Sequence, residues 1–211
     1  AAFPFQSWAP DTYQAAPTPF VAFLSVSPKI AAVFILYLLG QKVDNFTADA
    51  GYFQYLLAIV ALGSIVYGNL AALWQKNAKR LLAYSSIAHT GFLLLPLFSP
   101  NAISITSLLF YATIFMLMNT AAFTWVHFME TRLKTDKIDS LHGCGKVQPI
   151  AAVWLLVIMI SLTGLPVTAG FTAKLFVFSE LWQHVNGDNP LLTVVFVAGL
   201  LNVLIALYYY L

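Results

Sequence analysis

Ser161-Leu162-Thr163-Gly164-Leu165-Pro166-Val167-Thr168-Ala169-Gly170-Phe171-Thr172-Ala173-Lys174 lies inside an apolar run from about Pro149 to Trp182. At about 1.5 Å per residue, an unbroken helix of that length overshoots a hydrocarbon core of about 30 Å. Gly164 and Pro166 sit near its middle. Proline removes a backbone donor and clashes with the carbonyl four residues back, which predicts a break there. Carbonyls freed inside a bilayer must find partners in protein or trapped water. Lys174 follows the break, with no further charge until Glu180. A broken apolar helix with an intramembrane lysine reads as a transport device. The plainer alternative is a kink with a lysine that snorkels to the surface.

The whole chain shares this character. Of its 211 residues 60% are hydrophobic and 9% charged, with a mean hydropathy of +0.81. Soluble domains carry about 25% charged residues, so this is an integral membrane protein. Long apolar runs favour helices over a barrel, whose strands would alternate over about 10 residues. The predicted fold is all-α, a polytopic transmembrane helix bundle of about six spans. They fall at about 19–39, 51–73, 81–98, 103–128, the broken 149–183, and 191 to the end. The ends of the sequence, Ala1 to Trp8 and Tyr208-Tyr209-Tyr210-Leu211, look like parts of helices, which reads as a piece of a longer protein.

Charge distribution sets an orientation. If the 1–18 loop is on one side, six spans put the 74–80 and 129–147 loops on that side too. Those loops hold Lys76, Lys79, Arg80, Arg132, Lys134, Lys137 and Lys146, against Lys42 alone on the other side. The positive-inside rule makes the first side cytoplasmic. The 129–147 segment reads as a solvated connector. A net charge of +2 confined to loops gives no nucleic-acid face. Cys144 and His142 are too few for a structural zinc site, and no iron–sulfur or phosphate-loop motif is present.

Lys29, His89 and Lys174 fall within spans. A lysine at the bilayer centre costs roughly 2.5 to 3.5 kcal/mol on insertion scales, which marks such residues as functional. Burial penalises the charged form of lysine, so a buried lysine can exchange its proton, and histidine titrates near neutrality anyway. These are the groups a proton path needs. Ser85, Ser86 and His89 lie about one turn apart, with Tyr84 beside them, and such hydroxyls can hold a line of water. The alternatives are interhelical hydrogen bonding for His89 and snorkelling for Lys29.

Three motifs carry a resemblance. The first is Phe3-Pro4-Phe5-Gln6-Ser7-Trp8-Ala9-Pro10-Asp11 followed by Tyr13-Gln14-Ala15-Ala16-Pro17-Thr18-Pro19. The second is Gly68-Asn69-Leu70 with Gln75 and the run Asn77-Ala78-Lys79-Arg80 to His89-Thr90-Gly91. The third is Ser161 to Pro166 with Gly170-Phe171 and Lys174. With the terminal Tyr208-Tyr209-Tyr210-Leu211, they resemble the antiporter-like membrane subunits of respiratory complex I over nearly the whole chain. Asp11-Thr12-Tyr13-Gln14 and Lys29 look more like the N type than the L or M types. Gln6 and Ala15 depart from the usual histidine and glycine.

The resemblance implies helices 8 to 13 of a fourteen-helix fold. The chain would be one transmembrane domain, 1–211: a helix end and loop (1–18), a span and loop (19–50) and the second of two inverted five-helix repeats (51–211). It implies proton translocation through Lys29, His89 and Lys174, with Tyr84, Ser85, Ser86, Asn119 and Thr168 as supporting polar groups and Gly164 and Pro166 at the break. The family's helix 5 glutamate and helix 7 lysine would lie upstream of Ala1. No cofactor is expected in this chain; FMN, iron–sulfur clusters and quinone would belong to other subunits. Partners would be other membrane-arm subunits and the lipid bilayer, with no nucleic acid. The expected location is the bacterial plasma membrane, or an organelle inner membrane. Competing readings are an Mrp-type sodium/proton antiporter subunit, a membrane-bound hydrogenase relative, and a passive membrane scaffold.

Overall fold

The computed structural model describes residues 1–46, 50–98, 102–134, 136–141, 143–185 and 190–210. His142 and the expected turns at Ser99-Pro100-Asn101 and Asn186-Gly187-Asp188 lie outside them. The described residues hold no strand, only helices packed on helices. Short α1 (Trp8–Ala15) leads into α2 (Thr18–Leu24), α3 (Ser27–Phe46), α4 (Ala50–Ala72) and α5 (Ala78–Leu94). Pro96 then tightens the chain into a single 3-10 turn, Leu95–Phe98. α6 (Ala102–Leu133) is followed by a second 3-10 turn, Ile138–Leu141, and the one-turn α7 (Cys144–Val147). α8 (Pro149–Thr163), α9 (Ala169–Val185) and α10 (Pro190–Tyr210) complete the bundle.

Among the described residues, five segments are long and apolar enough to cross a membrane: 18–42, 53–72, 78–98, 103–133 and 190–210. α8 and α9 together form the sixth, and the break lies where Gly164 and Pro166 place it. α8 stops at Thr163, and Gly164 takes a left-handed φ of 83°. The Gly164 and Leu165 amides fold back onto the Ile160 carbonyl, an ending that a residue without Cβ accepts readily.

Two features depart from the sequence reading. The first span is also interrupted. Pro28 clashes with the carbonyl of residue 24, and α2 ends at Leu24 before α3 restarts at Ser27. The 129–147 segment is not simply a solvated connector. α6 runs on to Leu133, and the chain after it docks on the 74–80 loop. Lys79 pairs with Glu130 at 2.8 Å. Asn77 donates to Asp136 at 2.6 Å, and the Ile138 amide donates to the Lys76 carbonyl. Arg80 reaches Asp11 at 2.7 Å. The 1–18, 74–80 and 129–147 segments therefore share one end of the bundle, as the charge pattern predicts.

α5 is the inner helix. Every residue from Ser85 to Leu94 is buried, because α1, α4 and α6 pack around it and α3, α9 and α10 reach it through Lys29, Lys174 and Tyr210. Its Ser85, Ser86, His89 and Thr90 each find a hydrogen-bond partner inside the bundle, as buried polar groups must. Close approach of α4 needs two glycines. A Cβ on Gly68 would meet the Ala88 backbone nitrogen at 2.6 Å, and one on Gly91 would meet the Ala61 carbonyl at 2.7 Å.

Candidate functional site

Lys29, His89 and Lys174 are 6%, 4% and 5% exposed. None reaches the outer surface, so snorkelling explains neither lysine. All three converge on α5. The Lys29 ammonium donates to the Ser86 side chain at 2.7 Å and to its carbonyl at 3.1 Å. His89 Nδ1 lies 2.8 Å from the Tyr111 hydroxyl of α6. The Lys174 ammonium stands over the Phe92 ring, 5.2 Å from its centroid. Residues 86, 89 and 92 are successive turns, so the three contacts span about 9 Å along α5. Between His89 and Lys174 the wall is aromatic, made by Phe92 with Phe115 and Tyr111 beside the imidazole.

The break explains how Lys174 is held. Pro166 blocks the helical partner of the Leu162 carbonyl, and the end of α8 frees that of Thr163. Lys174 donates to both, at 3.1 and 2.6 Å. A cation at a helix C-terminus also meets the negative end of the macrodipole. α9 comes close enough for this only through Gly170, where a Cβ would lie 1.8 Å from the Ser161 carbonyl oxygen.

The supporting polar groups separate into different jobs. Ser86 is the partner of Lys29. Ser85 points the other way and pairs with the Tyr210 hydroxyl of α10. Tyr84 is half-buried, its ring tilted against Tyr67. Asn119 is buried on α6 and donates to Ser25 at 2.5 Å, bracing the break in the first span. Thr168 serves the start of α9: its hydroxyl donates to the Leu165 carbonyl and accepts from the Phe171 amide.

Sequence reasoning passed over several buried polar residues. Tyr209 donates to Asn69, and Asn69 donates to Asn202 at 3.2 Å. With Ser85 and Tyr210, these tie α4, α5 and α10 together at the end nearer the basic loops. Tyr111 was also missed, although the spacing of Ser107 and Tyr111 by four residues puts both on one face of α6.

This arrangement has relatives. A family model described as "NADH:quinone oxidoreductase/Mrp antiporter, TM" matches residues 1–201. The chain belongs to this family. Family members similar to it include NADH-quinone oxidoreductase subunit N of Chlorobium chlorochromatii, 41% identical over 99% of this chain and 41% of that protein. The subunit N 2 of Chloroherpeton thalassium is 38% identical over 98% of this chain and 41% of its own length. The chain thus spans about two fifths of the curated relatives it matches. Among solved structures, respiratory complex I from Thermus thermophilus aligns with a TM-score of 0.73 at 33% identity, covering 100% of this chain and 44% of the other. The Mrp complex from Dietzia sp. DQ12-45-1b aligns at 0.86 with 22% identity, covering 100% and 23%, and shows the shared fold.

Proposed function

We propose that this chain is part of an antiporter-like subunit that translocates protons within an NADH:quinone oxidoreductase. The observation that carries the reading is the buried row of Lys29, His89 and Lys174 meeting α5 at three successive turns. Every hydrogen-bond partner of the two ammonium groups among the described residues is neutral. Each lysine is therefore held in place without a carboxylate that would lock its charge. Two charges about 7 Å apart at an effective dielectric of about 20 interact by about 2 kcal/mol. A proton arriving on His89 can thus drive one off a neighbouring lysine.

On this reading the spans are helices 8 to 13 of the longer subunit, with 51–211 as its second five-helix repeat. The subunit performs no redox step. FMN, iron–sulfur clusters and quinone belong to other subunits, and the other membrane-arm subunits are its partners. The end bearing Lys79, Arg80 and Arg132 faces the cytoplasm of a bacterial cell. The relatives at about 40% identity carry subunit N names, which favours this over an Mrp-type sodium/proton antiporter or a hydrogenase relative.

The test uses the full-length subunit in the intact complex. Lys174→Ala lowers proton uptake per NADH oxidised while the complex still assembles on native gels. Lys174→Arg keeps the charge without restoring uptake, because arginine does not deprotonate in proteins. Unchanged uptake in the assembled alanine variant makes Lys174 a bystander. A cysteine at Asn77 that reacts from outside intact cells overturns the orientation.

A further inference from the structure

Glu180 is a buried acid that the row along α5 does not use. It lies six residues past Lys174 on α9, about 9 Å farther from the break, and is 5% exposed. One carboxyl oxygen accepts from the Ser104 hydroxyl of α6. The other, Oε2, is buried with no hydrogen-bond partner among the described residues. Burying a carboxyl is costly unless its oxygens are satisfied, and an unsatisfied one in a native interior calls for an explanation.

α6 supplies one. Ser104, Ser107 and Tyr111 are spaced by three and four residues, so they line a single helix face, and all three are buried. One end of this stripe is bonded to Glu180 through Ser104. The other is bonded to His89 through Tyr111. The hydroxyls rise by about 4.5 Å and then about 6 Å along the axis, separations that single waters bridge. Ser104 stands two residues into α6, while Glu130 near its other end pairs with Lys79. The stripe therefore runs from His89 toward the end of the bundle opposite the basic loops.

We propose that Ser104, Ser107 and Tyr111 form a proton-conducting branch from His89, and that Glu180 is the proton-accepting group at its far end. The proposal rests on the proton-translocation reading above. Protonated His89 gives its Nδ1 proton to the Tyr111 oxygen as the tyrosine passes on its own. The same exchange repeats at water, Ser107 and Ser104, and the carboxylate of Glu180 takes the last proton. Each hydroxyl gains one proton and loses one, and nothing is oxidised or reduced.

The test measures proton uptake per NADH oxidised, beside assembly on native gels, for the intact complex in proteoliposomes. The variants are Glu180→Gln, Glu180→Asp, Ser104→Ala, Tyr111→Phe and Lys174→Ala, with Thr113→Val on the exposed face of α6 as control. Glu180→Gln and Tyr111→Phe are expected to show the same fractional loss as Lys174→Ala. Glu180→Asp should recover part of it, and Thr113→Val should match the wild type. Wild-type uptake in assembled Glu180→Gln, with Lys174→Ala impaired, overturns the branch and leaves the α5 row standing. Wild-type uptake in Lys174→Ala removes the row and the branch together. If Glu180→Gln does not assemble, Ser104→Ala and Tyr111→Phe decide, and wild-type uptake in both overturns the proposal. Infrared difference spectra of the wild type should also show a carboxyl C=O band that changes on NADH addition and shifts in Ser104→Ala; a band indifferent to both counts against it.

Discussion

Lys29 and Lys174 both follow a proline in an interrupted apolar segment, and both end on backbone carbonyls deep in the bundle. They are held differently. Lys174 donates to carbonyls 12 and 11 residues away that its own break has freed. Its ammonium sits at the C-terminus of α8, where the macrodipole favours a cation. Lys29 donates to Ser86, 57 residues away on α5. The carbonyl there also accepts from Thr90 at 2.7 Å, so it has a partner without the lysine. Lys29 is moreover the third residue of α3, the positive end of its own helix. Lys174 thus belongs to a local structural unit, the broken α8–α9 span, whereas Lys29 is placed by tertiary packing alone. On the proposed reading, proton carriage and structural support coincide at Lys174 and separate at Lys29.

The largest expected effect comes from disrupting the α8–α9 break itself. Gly170→Val drives a side chain into the Ser161 carbonyl, since even a Cβ would stand 1.8 Å from that oxygen. The clash is of Cβ with a backbone carbonyl and no rotamer relieves it, so the variant should fail to accumulate as assembled complex on native gels. Gly164→Ala, with φ 83° and Lys174 Cδ at 2.9 Å from the new Cβ, should be milder but in the same direction.

The next prediction sharpens the difference between the lysines. Lys174→Met leaves the Leu162 and Thr163 carbonyls buried without donors, at about 1 to 3 kcal/mol each. Lys29→Met leaves the Ser86 carbonyl still bonded to Thr90. Thermal unfolding of the purified complex should therefore fall further for Lys174→Met, while both lose proton uptake. An equal fall in the two would show that the α8–α9 break does not depend on its lysine. Removing the buried cation offsets part of the cost at either site, so the contrast between the variants is the measurement.

Smaller again is Asn119→Ala. It removes the bond to Ser25 at the first break and should cost about 1 kcal/mol of stability. Its effect on uptake should be indirect, through the position of Lys29, and should resemble a partial Lys29 loss. Least of all is Thr168→Val. It deletes a hydroxyl that accepts from the Phe171 amide at the start of α9, worth about 0.5 to 1 kcal/mol. Proton uptake should stay at the wild-type ratio. A loss matching Lys174→Ala would return Thr168 to the conducting path.

The α8–α9 break was legible because its causes are local. A proline, a glycine and a lysine within eleven residues dictate where the helix stops and which carbonyls need a donor. The break in the first span had the same local cause in Pro28, but without a glycine beside it the segment reads as one continuous span. The ends of α3 and α6 were read too short because polar and charged residues mark where a membrane stops, and a helix continues past that point at little cost. Lys79 and Arg80 read as part of a basic loop, whereas the structure places them in the first turn of α5, capped by Asn77. Their ion pairs with Glu130 and Asp11 needed the ends of distant helices to meet.

The sequence by itself determined that this is a helical membrane protein, which loops share one end, and that three ionisable groups are buried. Those conclusions follow from composition, from the charge bias of loops and from the cost of charge in hydrocarbon, all properties of single segments. Tertiary structure decided which groups meet: Lys29 with Ser86, His89 with Tyr111, Asn119 with Ser25, and Glu180 with Ser104. An apolar helix presents no polar face to announce its neighbours, so only packing, fixed here by glycines that let α4 reach α5 and α8 reach α9, selects the partner of each buried polar side chain.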